Sequence, residues 1–151
     1  MTEKQVEILL VEDNEEDVEL TLHALRRENL RDKIQVVRDG EEALEFLFGR
    51  GAYAHRTTDM LPRLVLLDLK LPKIDGYEVL RQLKGDPRTQ KTPVVILTSS
   101  REERDLVRSY GDGANSYIQK PVDFEKFCDT VKQAGLYWLL INQSPPPAFA
   151  A

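Results

Sequence analysis

The sequence predicts a doubly wound α/β domain made of five strand–helix units around a parallel sheet. Three observations lead there. The apolar runs at 6–11, 65–67 and 94–97 are continuous rather than alternating, as expected of strands covered on both faces. Between them, apolar residues recur three and four positions apart, the spacing of amphipathic helices. Each apolar run then stops abruptly at a polar residue.

The elements follow in order. Residues 6–11 form the first strand, broken by Glu12-Asp13-Asn14. A helix follows with Val18, Leu22 and Leu25 on one face; Asn14 is its N-cap, and the acids Glu15, Glu16 and Asp17 suit its first turn. Residues 34–37 are a shorter, more polar strand at a sheet edge, and Arg38-Asp39-Gly40 turns the chain. Ala43, Leu44, Leu47 and Phe48 stripe the second helix, which Gly49-Arg50-Gly51 stops. The connection 49–62 is longer than usual, and its His55 has no ligand neighbours at metal-site spacing. The third strand, 65–67, carries Asp68 at its carboxyl end. Asp75 caps a helix with Val79, Leu80 and Leu83 inward, and Gly85-Asp86-Pro87 ends it. The fourth strand, 94–97, closes on Thr98-Ser99-Ser100. A polar helix over 101–110 turns Leu106, Val107 and Tyr110 inward. The fifth strand, 114–118, leads to Gln119-Lys120-Pro121. The last helix starts near Asp123 and places Phe124, Phe127, Val131, Ala134 and Trp138 on one stripe, with Gly135 as its weak point. The domain spans residues 4–141, and 142–151 form a flexible, proline-rich tail.

Composition narrows the function. The chain has 151 residues, enough for one core. Its 21 basic and 26 acidic side chains are interspersed, for a net charge of -5, and leave no basic footprint for nucleic acid. No apolar run spans a bilayer, and the N-terminus lacks a signal peptide's apolar region. A single cysteine, Cys128, rules out an internal disulfide framework and reads as a small core residue. Together these point to the cytoplasm.

The strand ends carry the chemistry. Glu12 and Asp13 end the first strand, Asp68 the third, Thr98 the fourth and Lys120 the fifth. In a parallel α/β sheet all of these share the carboxyl rim, where ligands bind. Taken singly, each is as readily a helix-capping loop residue. Taken together, three crowded carboxylates call for a divalent cation, and Mg2+ takes hard oxygen ligands of this kind. A lysine and a hydroxyl beside them suit the oxygens of a phosphoryl group, and a carboxylate can itself be the nucleophile. No glycine-rich run ends in Lys-Ser/Thr, no dinucleotide fingerprint follows the first strand, and no Gly-x-Ser-x-Gly elbow is present.

Five stretches carry a resemblance: Leu10-Val11-Glu12-Asp13-Asn14, Leu66-Leu67-Asp68-Leu69-Lys70-Leu71-Pro72, Asp75-Gly76, Leu97-Thr98-Ser99-Ser100, and Gly113-Ala114 through Tyr117-Ile118-Gln119-Lys120-Pro121. Jointly, over residues 6 to about 138, the chain resembles the receiver domain of bacterial two-component response regulators. The resemblance implies a flavodoxin-like strand order of 2-1-3-4-5. It implies that Asp68 accepts a phosphoryl group from the phosphohistidine of a histidine kinase. Asp13, Asp68 and the backbone carbonyl of Lys70 would hold Mg2+, with Glu12 acting directly or through water. Lys120, joined to Pro121 by a cis bond, would pair with the phosphoryl group. Thr98 and Tyr117 would move in response and remodel the face made by the 101–110 helix, the fifth strand and the last helix. Lys70 and Ser100 would tune the rate at which water removes the group. The protein would assist its own phosphorylation and hydrolysis without being an enzyme.

The long loop at 49–62, the run Gly113-Ala114-Asn115-Ser116-Tyr117-Ile118 and the aromatic end of the last helix resemble the receivers associated with bacterial phytochrome kinases. That implies a light-sensing histidine kinase as partner and a homodimer. A downstream phosphotransfer protein is a further candidate partner; nucleic acid and membrane are not. The apolar stretch 136–141 is too large for one small core, so Tyr137, Trp138 and Leu139 are candidate dimer contacts. Two other functions compete. One is an assembly module indifferent to Asp68; the intact acidic cluster speaks against it. The other is an aspartyl phosphatase, which needs a second acid where Lys70 stands.

Overall fold

The structure is a computed structural model and describes residues 6–25, 34–55, 61–99 and 113–139. Strands β1 (Ile8–Val11), β2 (Ile34–Val37), β3 (Leu64–Asp68), β4 (Val94–Thr98) and β5 (Ser116–Gln119) form one parallel sheet. Their order is β2-β1-β3-β4-β5, as expected from the resemblance. From β1 the chain steps outward to β2, then back across to β3. The crevice beyond β1 and β3 is therefore the switch point where such sheets bind ligands.

The continuous apolar strands are explained by two cores, one on each face. Leu9, Val11, Val65, Leu67 and Ile96 point to one side, against α2 (Gly40–Phe48) and α3 (Gly76–Gly85). Ile8, Leu10, Leu64, Leu66, Val95 and Leu97 point to the other, against α1 (Glu15–Leu25) and α4 (Phe124–Gln133). In β1, and in β3 and β4 up to their last residue, successive residues thus go to opposite cores and none is polar. Phe127 of α4 is fully buried, and truncating such a side chain to alanine costs about 3–5 kcal/mol.

The helix starts obey the sequence. Asn14, Asp39, Asp75 and Asp123 each accept a hydrogen bond from the backbone N–H three residues on, at 2.7–3.0 Å. Such caps stabilise a helix by about 1 kcal/mol each. They also fix where each helix begins, at the carboxyl rim.

Five expectations change in detail. The first strand starts at Ile8 rather than Val6, and the fifth runs Ser116–Gln119 rather than 114–118. The last helix does not reach Trp138: α4 ends at Gln133, Gly135 takes φ 77, and Tyr137–Leu139 form a separate 3-10 turn. The Leu136 N–H closes back on the Val131 carbonyl at 2.6 Å, which drops Leu136 and Trp138 into the α1/α4 core. Trp138 is therefore a core residue and not a surface contact, while Tyr137 stays 48% exposed. Cys128 is half-buried on α4 rather than a core residue.

The 49–62 connection begins with Gly49 in the left-handed region as the C-cap of α2, then a 3-10 turn at Gly51–Tyr53. Tyr53 packs edge-on against Phe46 and donates its hydroxyl to Glu42 at 2.8 Å, so the connection folds back on α2. His55 is exposed, as expected. The helix over 101–110, Ser100, the side chain of Leu139 and the tail 142–151 lie outside the described residues.

Candidate functional site at the carboxyl rim of the sheet

Asp68 ends the central strand β3 and is only 3% exposed. Val11 of β1 pairs with Leu67, so Glu12 leaves β1 level with Asp68. Ligand oxygens of Glu12, Asp13 and Asp68 lie within 4.8 Å of one another. Glu12 is fully buried and Asp13 is exposed, so the cluster opens outward on the Asp13 side. Burial, reinforced by the Asp68 carboxylate, pushes the Glu12 carboxyl up to about 7, although Lys120 pulls the other way.

Lys120 follows β5. Its N–H donates to the Thr98 carbonyl at 2.7 Å, tying the ends of β4 and β5 together, and its bond to Pro121 is cis. The ammonium stands 2.8 Å from Glu12 Oε1, 3.1 Å from Asp17 Oδ2 and 3.3 Å from Asp68 Oδ2. Burial alone would weaken its hold on the proton. The carboxylates of Glu12, Asp68 and Asp17 more than offset that and raise its pKa above the usual lysine value. Thr98 is buried at the end of β4, and Tyr117 of β5 is half-buried against the α2/α3 core. Lys70 is exposed; its N–H lies 3.4 Å from Asp68 Oδ1.

The sequence reading brought together Glu12, Asp13, Asp68 and Lys120, and the structure does so too. It missed two contributors. Asp17 has the pattern of a helix-start acid, yet it is the third carboxylate on Lys120. Gly76 stands in the sequence only as part of a motif, yet a Cβ there would lie 2.3 Å from the Asp68 carbonyl oxygen. The start of α3 thus rests directly on the backbone of Asp68, and only glycine leaves the room.

The residues fit a divalent cation. The donors are hard carboxylate oxygens, and Glu12 Oε1 is buried with the Lys120 ammonium 2.8 Å away. A cleft of about 450 Å³ lies elsewhere, lined by Phe48, Arg50, Arg81 and Arg88 at the C-terminal ends of α2 and α3. Arg81 and Arg88 are already tied to Glu78 and Asp86, so it takes no part in this chemistry.

The buried acid, its cationic neighbour and the cation-ready cluster define a phosphoacceptor domain. The family model for the response regulator receiver domain matches residues 8–132, and the chain belongs to that family. It is 50% identical to the bacteriophytochrome response regulator AtBRR, whose structure superposes with a TM-score of 0.83 over 93% of this chain and 100% of that one. The Mn(2+)-bound form of the response regulator Rcp1 is 36% identical, with a TM-score of 0.71 over 95% of this chain and 99% of that one. The "Probable methanogenesis regulatory protein FilR2" of Methanothrix harundinacea (strain 6Ac) is 45% identical over 93% of this chain and 88% of its own length. Similarity therefore extends beyond phytochrome-associated regulators, although the chain is closely related to them. Among the described residues no helix is long and apolar enough to cross a membrane.

Proposed function

We propose that Asp68 is the acceptor and that a histidine kinase is the donor. One observation carries this: a carboxylate that is 3% exposed at the switch point, with a lysine ammonium 3.3 Å away. An Asp68 carboxylate oxygen attacks the phosphorus of a phosphohistidine. The P–N bond breaks, its electrons stay on the imidazole nitrogen, and the group becomes an acyl phosphate on Asp68. Lys120 pairs with the incoming oxygens, and the Thr98 hydroxyl donates to one of them. Asp13, Asp68 and the Lys70 carbonyl would hold Mg2+, with Glu12 acting directly or through water. When bound, the cation offsets the charge of the transferring oxygens. The Mn(2+)-bound form of the related response regulator Rcp1 supports a divalent cation in this class of site.

Phosphorylation then biases a two-state face through Thr98 and Tyr117, and the signal leaves by protein contact. The names of the bacteriophytochrome regulators support a phytochrome-type kinase as the partner. The cytoplasm, a downstream phosphotransfer protein, a domain over 4–141 with a flexible tail, and a homodimer belong to the same reading. With Trp138 in the core, the dimer contact rests on Tyr137 and Leu139, so Tyr137→Asp should yield a monomer in sedimentation. An unchanged mass would place the contact elsewhere or remove the dimer.

The test of the acceptor is intact mass after incubation with acetyl phosphate, with and without Mg2+, for the native chain and Asp68→Asn. The expected result is a Mg2+-dependent phosphoryl adduct in the native chain alone. An equal adduct in Asp68→Asn would move the acceptor to another residue. If neither acetyl phosphate nor beryllofluoride engages the folded native chain, the phosphate-independent assembly reading takes over.

A further inference from the structure

The Lys120 ammonium has three N–H donors and three carboxylates around it. Two of those carboxylates, Glu12 and Asp68, belong to the cation-ready cluster; the third, Asp17, does not. The Asp17 contact has hydrogen-bond geometry, at 3.1 Å. Asp17 is itself held in place. Its own N–H donates to the Asn14 side chain at 3.0 Å, the cap that starts α1. The two side chains are part-buried, 14% exposed for Lys120 and 28% for Asp17, so water only partly screens the pair.

This division has a consequence. Once Glu12 and Asp68 are engaged by a cation and by a phosphoryl group, their hold on the ammonium weakens. Asp17 is then the carboxylate left to fix where Lys120 points. We propose that Asp17 is a positioning residue for the phosphoacceptor site, anchoring the Lys120 ammonium through the phosphorylation cycle. The inference rests on the role given to Lys120 under Proposed function. It assigns a task to the first turn of α1 beyond helix capping: an acid there aims the residue that meets the phosphoryl oxygens.

The test is a double-mutant cycle on beryllofluoride binding in the presence of Mg2+, measured by calorimetry in the native chain, Asp17→Asn, Lys120→Ala and the double variant. Asp17→Asn should weaken binding about three- to tenfold, the net range of an ordinary hydrogen bond, because water partly screens this pair. In the Lys120→Ala background the same change should have no effect. Asp17→Glu, which keeps the carboxylate, should recover part of the loss. A second readout needs no cation: in metal-free protein, Asp17→Asn should lower the unfolding midpoint more when Lys120 is present than when it is absent. Equal effects in both backgrounds would overturn the proposal and reduce Asp17 to a helix-start charge. Weaker binding in Lys120→Ala without any in Asp17→Asn would also overturn it, while leaving Lys120 its role. Native-like binding by Lys120→Ala would remove both.

Discussion

Two lysines are tucked into this domain at opposite ends of its helices, and they behave in opposite ways. Lys120, at the carboxyl rim, faces three carboxylates and holds its proton more tightly than a free lysine. Lys84, near the end of α3, donates to the Gln90 and Thr92 carbonyls at 3.1 and 2.7 Å, and burial lowers its pKa to about 8. Formal negative charge overcomes burial; the dipoles of two carbonyls do not. The rim therefore contains a permanent cation inside an acidic cluster, as a phosphoryl-binding site requires. The other lysine is a structural clamp between α3 and the lead into β4.

The most disruptive way to break this contrast is to take the charge from the rim. Lys120→Met leaves Glu12 and Asp68 buried beside one another with their nearest cation gone. Removing one partner of a buried ionic group in this way should cost about 3 kcal/mol in metal-free protein at neutral pH. Mg2+ should then stabilise the variant more than it stabilises the native chain, because the added cation fits the same oxygens. Urea unfolding with and without Mg2+ measures both effects. A variant as stable as the native chain without Mg2+ would mean that Lys120 is not what offsets the acids.

The contrast between rim and far edge also shows in the glycines that begin and end α3. A methyl group on Gly76 would lie 2.3 Å from the Asp68 carbonyl oxygen, whereas one on Gly85 would meet nothing within 4 Å. Gly76→Ala should therefore destabilise the domain by about 2 kcal/mol and slow phosphorylation, since relief requires the acceptor's backbone to shift. Gly85→Ala should do the reverse, stabilising by about 0.5–1 kcal/mol through the lower entropy of the unfolded chain, with phosphorylation untouched. Thermal unfolding of the pair, with adduct formation followed by mass, separates them. Equal destabilisation by both would show that α3 tolerates no side chain at either end, and that the rim is not special.

Much of this was legible in the sequence. Continuous apolar runs exposed the sheet because alternate residues feed two cores, and the parallel class alone put Glu12, Asp13, Asp68, Thr98 and Lys120 on one rim. Asn14 and Asp75 were readable as caps because capping is local. What was not legible depends on contacts between distant segments or on backbone turns. Asp17 meets Lys120 across 103 positions of sequence, and no periodicity reports that. Gly76 gives no sign of the carbonyl it must clear. The apolar stretch 136–141 suggested an exposed surface because it looked too large for one small core. The left-handed turn at Gly135 instead sends Leu136 and Trp138 inward. The Tyr53–Glu42 bond, which folds the long connection onto α2, was invisible for the same reason as Asp17.

The smallest effect is the most specific to Lys84. Its folded pKa, about 8, lies below the ordinary lysine value of 10.5. Between those values the unfolded chain binds the proton and the folded chain does not, so stability rises with pH across that window. Below pH 8 both states are protonated, and the cost of burying the charge is fully present. Lys84→Met removes the titrating group while keeping much of the stem, and it also removes the two hydrogen bonds to Gln90 and Thr92. Comparing the slope of stability against pH, rather than its absolute value, separates these two losses. The native chain should gain on the variant from pH 8 to 10.5 and run parallel to it at lower pH. Lys120 sharpens the point because its shift has the opposite sign. Its contribution to stability is fully present below 10.5 and is lost only as pH rises through its raised pKa. Parallel curves for native chain and Lys84→Met throughout would mean that the two carbonyls hold the Lys84 proton after all, and the two lysines would then differ only in degree.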